Sequence, residues 1–483
     1  MKLQHLDHKK VFYYFEKISE IPRGSKYNTQ ISNYLVSFAR EHQLKYKQDK
    51  YENVIIWKSA SKGYEDCETV MIQGHMDMVC EKECQIKHDF TTEPLDLIVE
   101  DDFVYANGTT LGGDDGIAIA YALAILDDDT LLHPPLEVVI TTDEEVGMDG
   151  AFGLDTSALK AKYMLNIDSE EEGILLSSCA GGMTSTCMLP RLDITTKEGT
   201  KIKIKILGLQ GGHSGAEIHK NRINANRLLG RLLGTLQGKK IEYFIIQMNG
   251  GLKDNAIPRE AEMELVTKDV EKVKEIIKKF ETIIKKELRT SEPDVTVIVK
   301  EEGAGSYEVW EKELEKKVSI MLTYAPNGIQ TMSAEIEGLV ESSLNLGIFR
   351  AETDYVIFSF SIRSSVASYK QYLSEQLEHL IVFLGGTYEK KGEYPGWEYN
   401  PNSKLREVMC EVYREQYGTE VKVEAIHAGL ECGIIAEKMP GIDIVSFGPD
   451  IFDIHTPKEK LSISSAKRVY EYIIRVLEKM KTL

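Results

Sequence analysis

The chain has 483 residues, enough for more than one hydrophobic core, and its 42 % hydrophobic and 28 % charged residues are the balance of an ordinary globular protein. A formal net charge of −19 repels nucleic acid and anionic membrane, so the charge argues against both as partners. The seven cysteines (67, 80, 84, 179, 187, 410, 432) form no CxxC pair and no even framework, which reads as reduced thiols in a cytoplasmic protein, and no apolar run is long enough to span a membrane.

In chain order, apolar residues spaced three and four apart predict helices over 5–20 and 29–43, joined by the turn Pro22-Arg23-Gly24-Ser25. The first is charged and amphipathic, unlike a signal peptide. Strands are predicted over 53–57 and 70–74, and the stretch 80–105 reads as irregular. The apolar run before Gly74 ends by presenting His75 and Asp77. An imidazole binds a cation through one nitrogen, and a carboxylate near the other fixes its tautomer. Next comes the loop Asn107–Gly116, with Asp114 and Asp115 at the start of a helix predicted over 117–126. Acids there can cap the helix, or one can turn inward as a ligand.

Leu136–Thr142 is an apolar, β-branched run that ends in Asp143-Glu144-Glu145, and the strand over 163–167 ends at Asp168. Adjacent acids at a buried strand's exit repel one another unless solvent or a cation intervenes. Three successive strands thus deliver His or acids at their C-terminal ends, the edge of an α/β sheet where ligands bind.

After about residue 185 the pattern changes. Lys201–Leu209 alternates with period two, and Gly211-Gly-His213-Ser-Gly215 follows it. Two similar sets of strands and helices then run to 391, which predicts a duplicated α+β insertion. Gly392–Pro401 reads as a linker; α/β character then resumes, with His455 between a strand and a final helix over 462–482. The expected division is an α/β domain over 1–185 and 397–483 and an inserted α+β domain over 186–396. Two His and several carboxylates, without Cys, suit zinc, or manganese or cobalt, better than calcium or magnesium. Of Glu144 and Glu145, one can bind metal while the other acts as general base.

Taken together, Gly74-His-Met-Asp77, Gly108–Gly116, Thr142–Gly147, Asn166-Ile-Asp168, Gly211–Gly215 and Ile454-His-Thr-Pro457 resemble the co-catalytic dinuclear zinc peptidases. That family includes carboxypeptidase G, peptidases T and V and carnosinase. The likeness spans the whole chain and is greatest to the Xaa-His dipeptidase branch, which also has a segment like His427–Glu431. It implies that the α/β domain over 1–185 and 397–483 is a three-layer catalytic domain, a mixed sheet with helices on both faces, and that the duplicated α+β insertion over 186–396 is a lid domain. The resemblance implies two zinc ions bound by His75, Asp114, Glu145, Asp168 and His455, with Asp114 bridging and Asp115 as its fallback. It implies that Asp77 orients His75, that Glu144 is the general base, and that His213 from the lid donates to the oxyanion. Asn255, Arg363 and Gly429 would bind substrate, Arg363 by forking onto the free carboxylate of a dipeptide, and Glu431 would support the site. The family often has Lys after its acid pair, where this chain has Gly116. The implied activity is hydrolysis of unblocked dipeptides, Xaa-His and β-Ala-His among them. The rival readings are an amidohydrolase on N-acyl amino acids, a tripeptide aminopeptidase, and a relative that kept the fold without the chemistry. Single-lobe relatives dimerise so that one subunit's His serves the other's site. A duplicated lid lets His213 serve its own chain, which leaves a homodimer open but not required.

Overall fold

The structure is a computed structural model and describes residues 2–483 with the exception of 4, 7, 192, 193 and 240. Residue 7 of the helix expected over 5–20, residues 1 and 4 of the expected catalytic part, and 192, 193 and 240 of the expected insertion lie outside the described residues. The chain divides into two compact units: Met1–Ser178 with Trp397–Ala425 and Leu430–Leu483, and Cys179–Gly396 with Ile426–Gly429. The short excursion 426–429 is not part of the linear division expected from sequence.

The first unit is built on a mixed sheet with strand order Lys45–Gln48, Val54–Lys58, Leu136–Thr141, Val70–His75, Tyr163–Asn166, Asp443–Ser446, Ile174–Cys179, Lys422–Ile426. The four strands from Leu136–Thr141 to Asp443–Ser446 are parallel. Every residue of Val70–His75 and Leu136–Thr141 is buried, so both faces of these strands are covered. That explains why they read as continuous apolar runs, not as alternating ones. Val70, Ile72, Val138 and Ile140 share one core with the apolar helix Gly113–Leu126 and with Val469, Ile473 and Val476 of the helix Ile463–Lys479. Parallel register sets His75 beside Thr141 and Gln73 beside Asn166, which brings the three acid-bearing strand exits to one edge.

Two differences from the sequence reading matter. The helix predicted from Ile117 starts at Gly113, with non-helical backbone at Asp114 and Asp115 and a cis peptide bond between them. The stretch 80–105 is not irregular throughout: Leu97–Glu100 and Phe103–Ala106 form a hairpin within a four-stranded sheet with Ile451–Phe452 and Lys460–Ser462. Its turn acids obscured the apolar runs on either side. Asp101 supplies the left-handed turn conformation (φ 51°), and the Asp102 carboxylate accepts from Ser462 Oγ at 2.7 Å and Ser464 N at 3.0 Å.

The second unit is an antiparallel sheet with strand order Thr296–Trp310, Ile194–Leu207, Ala261–Thr267, Tyr243–Gly250, Val340–Ala351, Tyr355–Ser364, Gly181–Pro190, Thr387–Tyr394; Gly328–Met332 pairs with Val340–Ala351 off this path. Read inward from either edge, both halves run fourth, first, third, second strand of a β-α-β-β-α-β unit. The halves meet at the pairs Asn249–Arg350 and Gly250–Phe349. The second half's first strand, Gly181–Pro190, precedes the whole first half in sequence, so one half is inserted into the other. Sequence reading missed this strand because its Gly, Ser and Thr residues dilute the alternation of Met183, Cys187 and Leu189, all of them buried. No described helix is long and apolar enough to cross a membrane.

Candidate metal centre and substrate-binding residues

At the C-terminal edge of the parallel strands, His75 is 1 % exposed. Its Nδ1 lies 3.1 Å from the Asp77 carbonyl oxygen and 3.4 Å from Asp77 Oδ1. Nδ1–H therefore points at Asp77, and Nε2 is left as the acceptor nitrogen. Nε2 faces two carboxylates, Asp114 Oδ1 at 3.2 Å and Asp168 Oδ1 at 3.6 Å. A lone pair facing two anions is unfavourable unless a proton or a metal cation sits between them. The same holds for His455, whose Nε2 is 3.3 Å from Asp114 Oδ2 and 3.0 Å from Glu145 Oε1. Asp114 thus has one oxygen toward each imidazole. Asp115 instead accepts from the backbone N–H of His75 at 3.1 Å. Potential ligand atoms of His75, Asp114 and Glu145, and of His75, Asp115 and Asp168, lie within 4.8 Å of one another.

The charges tell the same story. Burial opposes ionisation of Asp114, yet His455 and His75 hold it below the usual carboxylate range. Burial likewise opposes charge on His75, but Asp114, Asp168 and Asp77 outweigh it and raise its pKa well above normal. Asp114 and Glu145 push His455 up to about 10. Burial, followed by the like charges of Asp168, Glu431 and Glu145, raises Glu144 well above the carboxylate range against the pull of His75. More negative charge converges here than the protein's own cations offset, which is what a cation site requires.

Asp77 ties the pieces together. Its carboxylate accepts from Ser25 Oγ at 2.8 Å and from the backbone N–H of Glu144 and Glu145 at 3.0 and 3.3 Å. It orients His75 and also anchors the turn that carries both glutamates. Beneath the site, the buried Glu431 carboxyl accepts from Gln73 Nε2 and Thr141 Oγ1, each at 2.6 Å, while its Oε1 has no hydrogen-bond partner. Asn166 Nδ2 donates to Gln73 Oε1 at 2.5 Å, so side chains from three neighbouring strands are linked under the ligand-bearing ends.

In the second unit, the loop at His213 pairs with Ala256, and Ser214 N donates to the Asn255 carbonyl at 2.9 Å, which makes His213 and Asn255 neighbours. His213 Nδ1 accepts from the backbone N–H of Ala216 at 3.0 Å and of Gly215 at 3.3 Å. That fixes Nε2 as the protonated nitrogen, and burial followed by the Arg363 charge keeps the ring neutral by lowering its pKa. A Cβ on Gly215 would lie 2.5 Å from the His427 carbonyl oxygen and 2.9 Å from Arg363 Nε, so these groups converge on the same loop. Arg363 is 8 % exposed; its Nη1 donates to the Tyr394 hydroxyl at 2.9 Å, and its Nε has no partner. A Cβ on Gly429 would strike the Tyr394 ring at 2.7 Å. The excursion 426–429 therefore brings Gly429 to the Arg363–Tyr394 pair.

Sequence reading gave no role to Arg23, Gln73, Tyr394 or Glu459. Gln73 was findable, being the polar residue inside the apolar run Val70–Gly74. The others act across more than 30 residues of sequence, and nothing local marks them.

The profile of the Peptidase family M20/M25/M40 matches residues 71–479. The cytosol non-specific dipeptidase of Escherichia coli (strain K12) is 36 % identical over 483 residues, covering 99 % of each chain. The crystal structure of aminoacylhistidine dipeptidase from Vibrio alginolyticus superposes with a TM-score of 0.93 at 35 % identity, covering 99 % of this chain and 98 % of that one. A tripeptidase from Staphylococcus aureus, 17 % identical with a TM-score of 0.56 over 99 % of this chain and all of that one, shares the fold alone. The motifs, the architecture and these relatives agree: the chain belongs to the Peptidase family M20/M25/M40 and is a metal-dependent peptidase.

Proposed function

We propose that this protein is a dipeptidase that hydrolyses unblocked dipeptides, Xaa-His among them, with two zinc ions for which manganese or cobalt can substitute. The observation that carries this reading is Asp114, with one carboxylate oxygen turned toward His75 and the other toward His455. His75 and Asp168 would hold one ion and Glu145 and His455 the other, with Asp114 between them. When bound, the metal pair polarises the scissile carbonyl and brings the pKa of a water from 15.7 toward ~7.

The chain's own residues supply the rest. Glu144, whose basicity burial and neighbouring acids raise, takes the proton of the attacking water and returns it to the leaving amine. Asp77 keeps the His75 ring and the Glu144 turn in register. We assign the neutral Nε2–H of His213 to the oxygen that gains charge, a donor preorganised by two backbone amides. Arg363 is assigned to the substrate's C-terminal carboxylate, with Asn255 and the backbone at Gly429 beside it. The names of the two full-length relatives, a non-specific and an aminoacylhistidine dipeptidase, support this substrate class. The cytosolic name of the E. coli relative supports a cytoplasmic location.

The test is Glu144→Gln. The variant is expected to keep the wild-type metal content and lose about 10²–10⁴ in kcat, the range for a general acid–base group. Near-normal turnover would remove Glu144 from the mechanism.

A further inference from the structure

Arg23 sits in the turn between the helices Lys9–Ser19 and Thr29–Glu41 and is 1 % exposed. Its Nη1 donates to the carbonyl oxygens of Met76 at 3.1 Å and Asp77 at 3.4 Å, and its Nη2 donates to that of Gly112. One guanidinium therefore spans two loops: the one leaving the strand that carries His75, and the one entering Asp114. The glycines of this second loop make room for it. A Cβ at Gly112 or Gly116 would overlap Nη2, and Gly112 also takes a left-handed backbone (φ 63°).

The amide side of the same loop is held by Glu459, which is 2 % exposed. Its Oε2 accepts from Leu111 N at 2.8 Å and Gly112 N at 3.0 Å. Its Oε1 accepts from Gly113 N at 2.7 Å and Asp114 N at 3.3 Å. Glu459 lies four residues after His455, so it ties that histidine's segment to the Asp114 loop. Arg23 on the carbonyls and Glu459 on the amides thus fix the loop from both sides. Burial lowers the pKa of the guanidinium, and the negative charges of Glu459, Asp77 and Asp115 counter only part of that. A planar fork with five N–H donors can bridge carbonyls of two separate loops, which a lysine's point charge cannot do in one geometry.

We propose that Arg23 is a positioning residue for the metal centre: it sets the separation of the His75 and Asp114 loops and thereby the affinity and ligand geometry of the site. This inference rests on the metal-site reading above. Its test compares wild type with Arg23→Lys and Arg23→Ala, each stripped and then titrated with Co(II). The readouts are the visible absorption spectrum, the dissociation constant by chelator competition, and kcat and KM on a dipeptide. Near-ultraviolet circular dichroism of the metal-free proteins reports folding. We expect folded variants that bind Co(II) about tenfold to hundredfold more weakly, the usual cost of losing a group that orients metal ligands. The Co(II) spectrum should change, and kcat should fall with KM little altered. In Arg23→Ala, added methylguanidinium should recover part of the Co(II) affinity, whereas methylammonium should not. A folded Arg23→Lys protein with wild-type Co(II) affinity and spectrum would overturn the proposal. So would failure of both variants to fold, which would assign Arg23 to folding alone. Wild-type protein that takes up no Co(II) would overturn the metal-site reading itself.

Discussion

The hydrogen bond between Arg363 and Tyr394 offers a sharp perturbation, because it lies wholly within the second unit. Tyr394→Phe removes one hydroxyl and leaves the ring that packs against Gly429. In the wild type, Arg363 Nη1 donates to that hydroxyl at 2.9 Å, while Nε already has no partner. Loss of that partner frees the head group to leave the geometry in which it meets a carboxylate. A hydrogen bond to a charged group is worth about 1.5–3 kcal/mol, and about 1.4 kcal/mol is a factor of ten. The expected loss in kcat/KM is therefore about tenfold to hundredfold for a dipeptide with a free C-terminus, carried mainly by KM. A dipeptide amide has no carboxylate for Arg363 to fork onto, so its slower hydrolysis should change about threefold or less. The assay is steady-state kinetics of wild type and variant on Gly-His and on Gly-His amide. Equal losses on both substrates would refute the reasoning, since they would mean a general disturbance of the lid and not a weakened carboxylate contact.

Other consequences can be checked with the same preparations. His213→Ala should lower kcat by about 10²–10³, the range for one oxyanion donor, with KM little changed; a change confined to KM would remove the oxyanion role. Glu431 gives a pH prediction for the metal-free protein. Burial pushes its carboxyl up to about 8 from an ordinary 4.5. The native state therefore keeps a proton that the unfolded chain releases above pH ~4.5, so the contribution of Glu431 to stability is greatest below that pH and falls by up to ~1.4 kcal/mol per unit until about pH 8. Glu431→Gln should flatten that slope in urea unfolding of chelator-treated protein at pH 5.5, 6.5 and 7.5. Parallel slopes for the two proteins would count against a protonated Glu431.

Much of this architecture was legible because its signals are local. The runs Val70–His75, Leu136–Thr141 and Tyr163–Asn166 are apolar throughout because both faces of a parallel sheet are covered, and their polar ends stand out for that reason. The insertion was legible from the switch to period-two alternation at Lys201–Leu209. What escaped depends on distance in the chain. Gly181–Pro190 completes the second half of the inserted sheet from more than a hundred residues upstream of its partner Tyr355–Ser364, and no periodicity records that. The excursion Ile426–Gly429 joins the second unit although the chain on either side belongs to the first. The double glycine before Asp114 was visible as a turn, but the reason for Gly112, room for the Arg23 guanidinium, was not. The candidate ligands had read as His and acids at strand ends, and the structure adds which oxygen faces which nitrogen.

The most direct test of the central claim is hydrolysis of Gly-His by the purified protein, before and after chelation, with zinc, manganese and cobalt added back. The account predicts loss of activity on chelation and recovery with metal, with two metal ions bound per chain at full activity. It also predicts faster hydrolysis of Gly-His than of a tripeptide or an N-acyl amino acid. Undiminished hydrolysis by metal-stripped protein, or two bound metals with turnover of N-acyl amino acids alone, would contradict it.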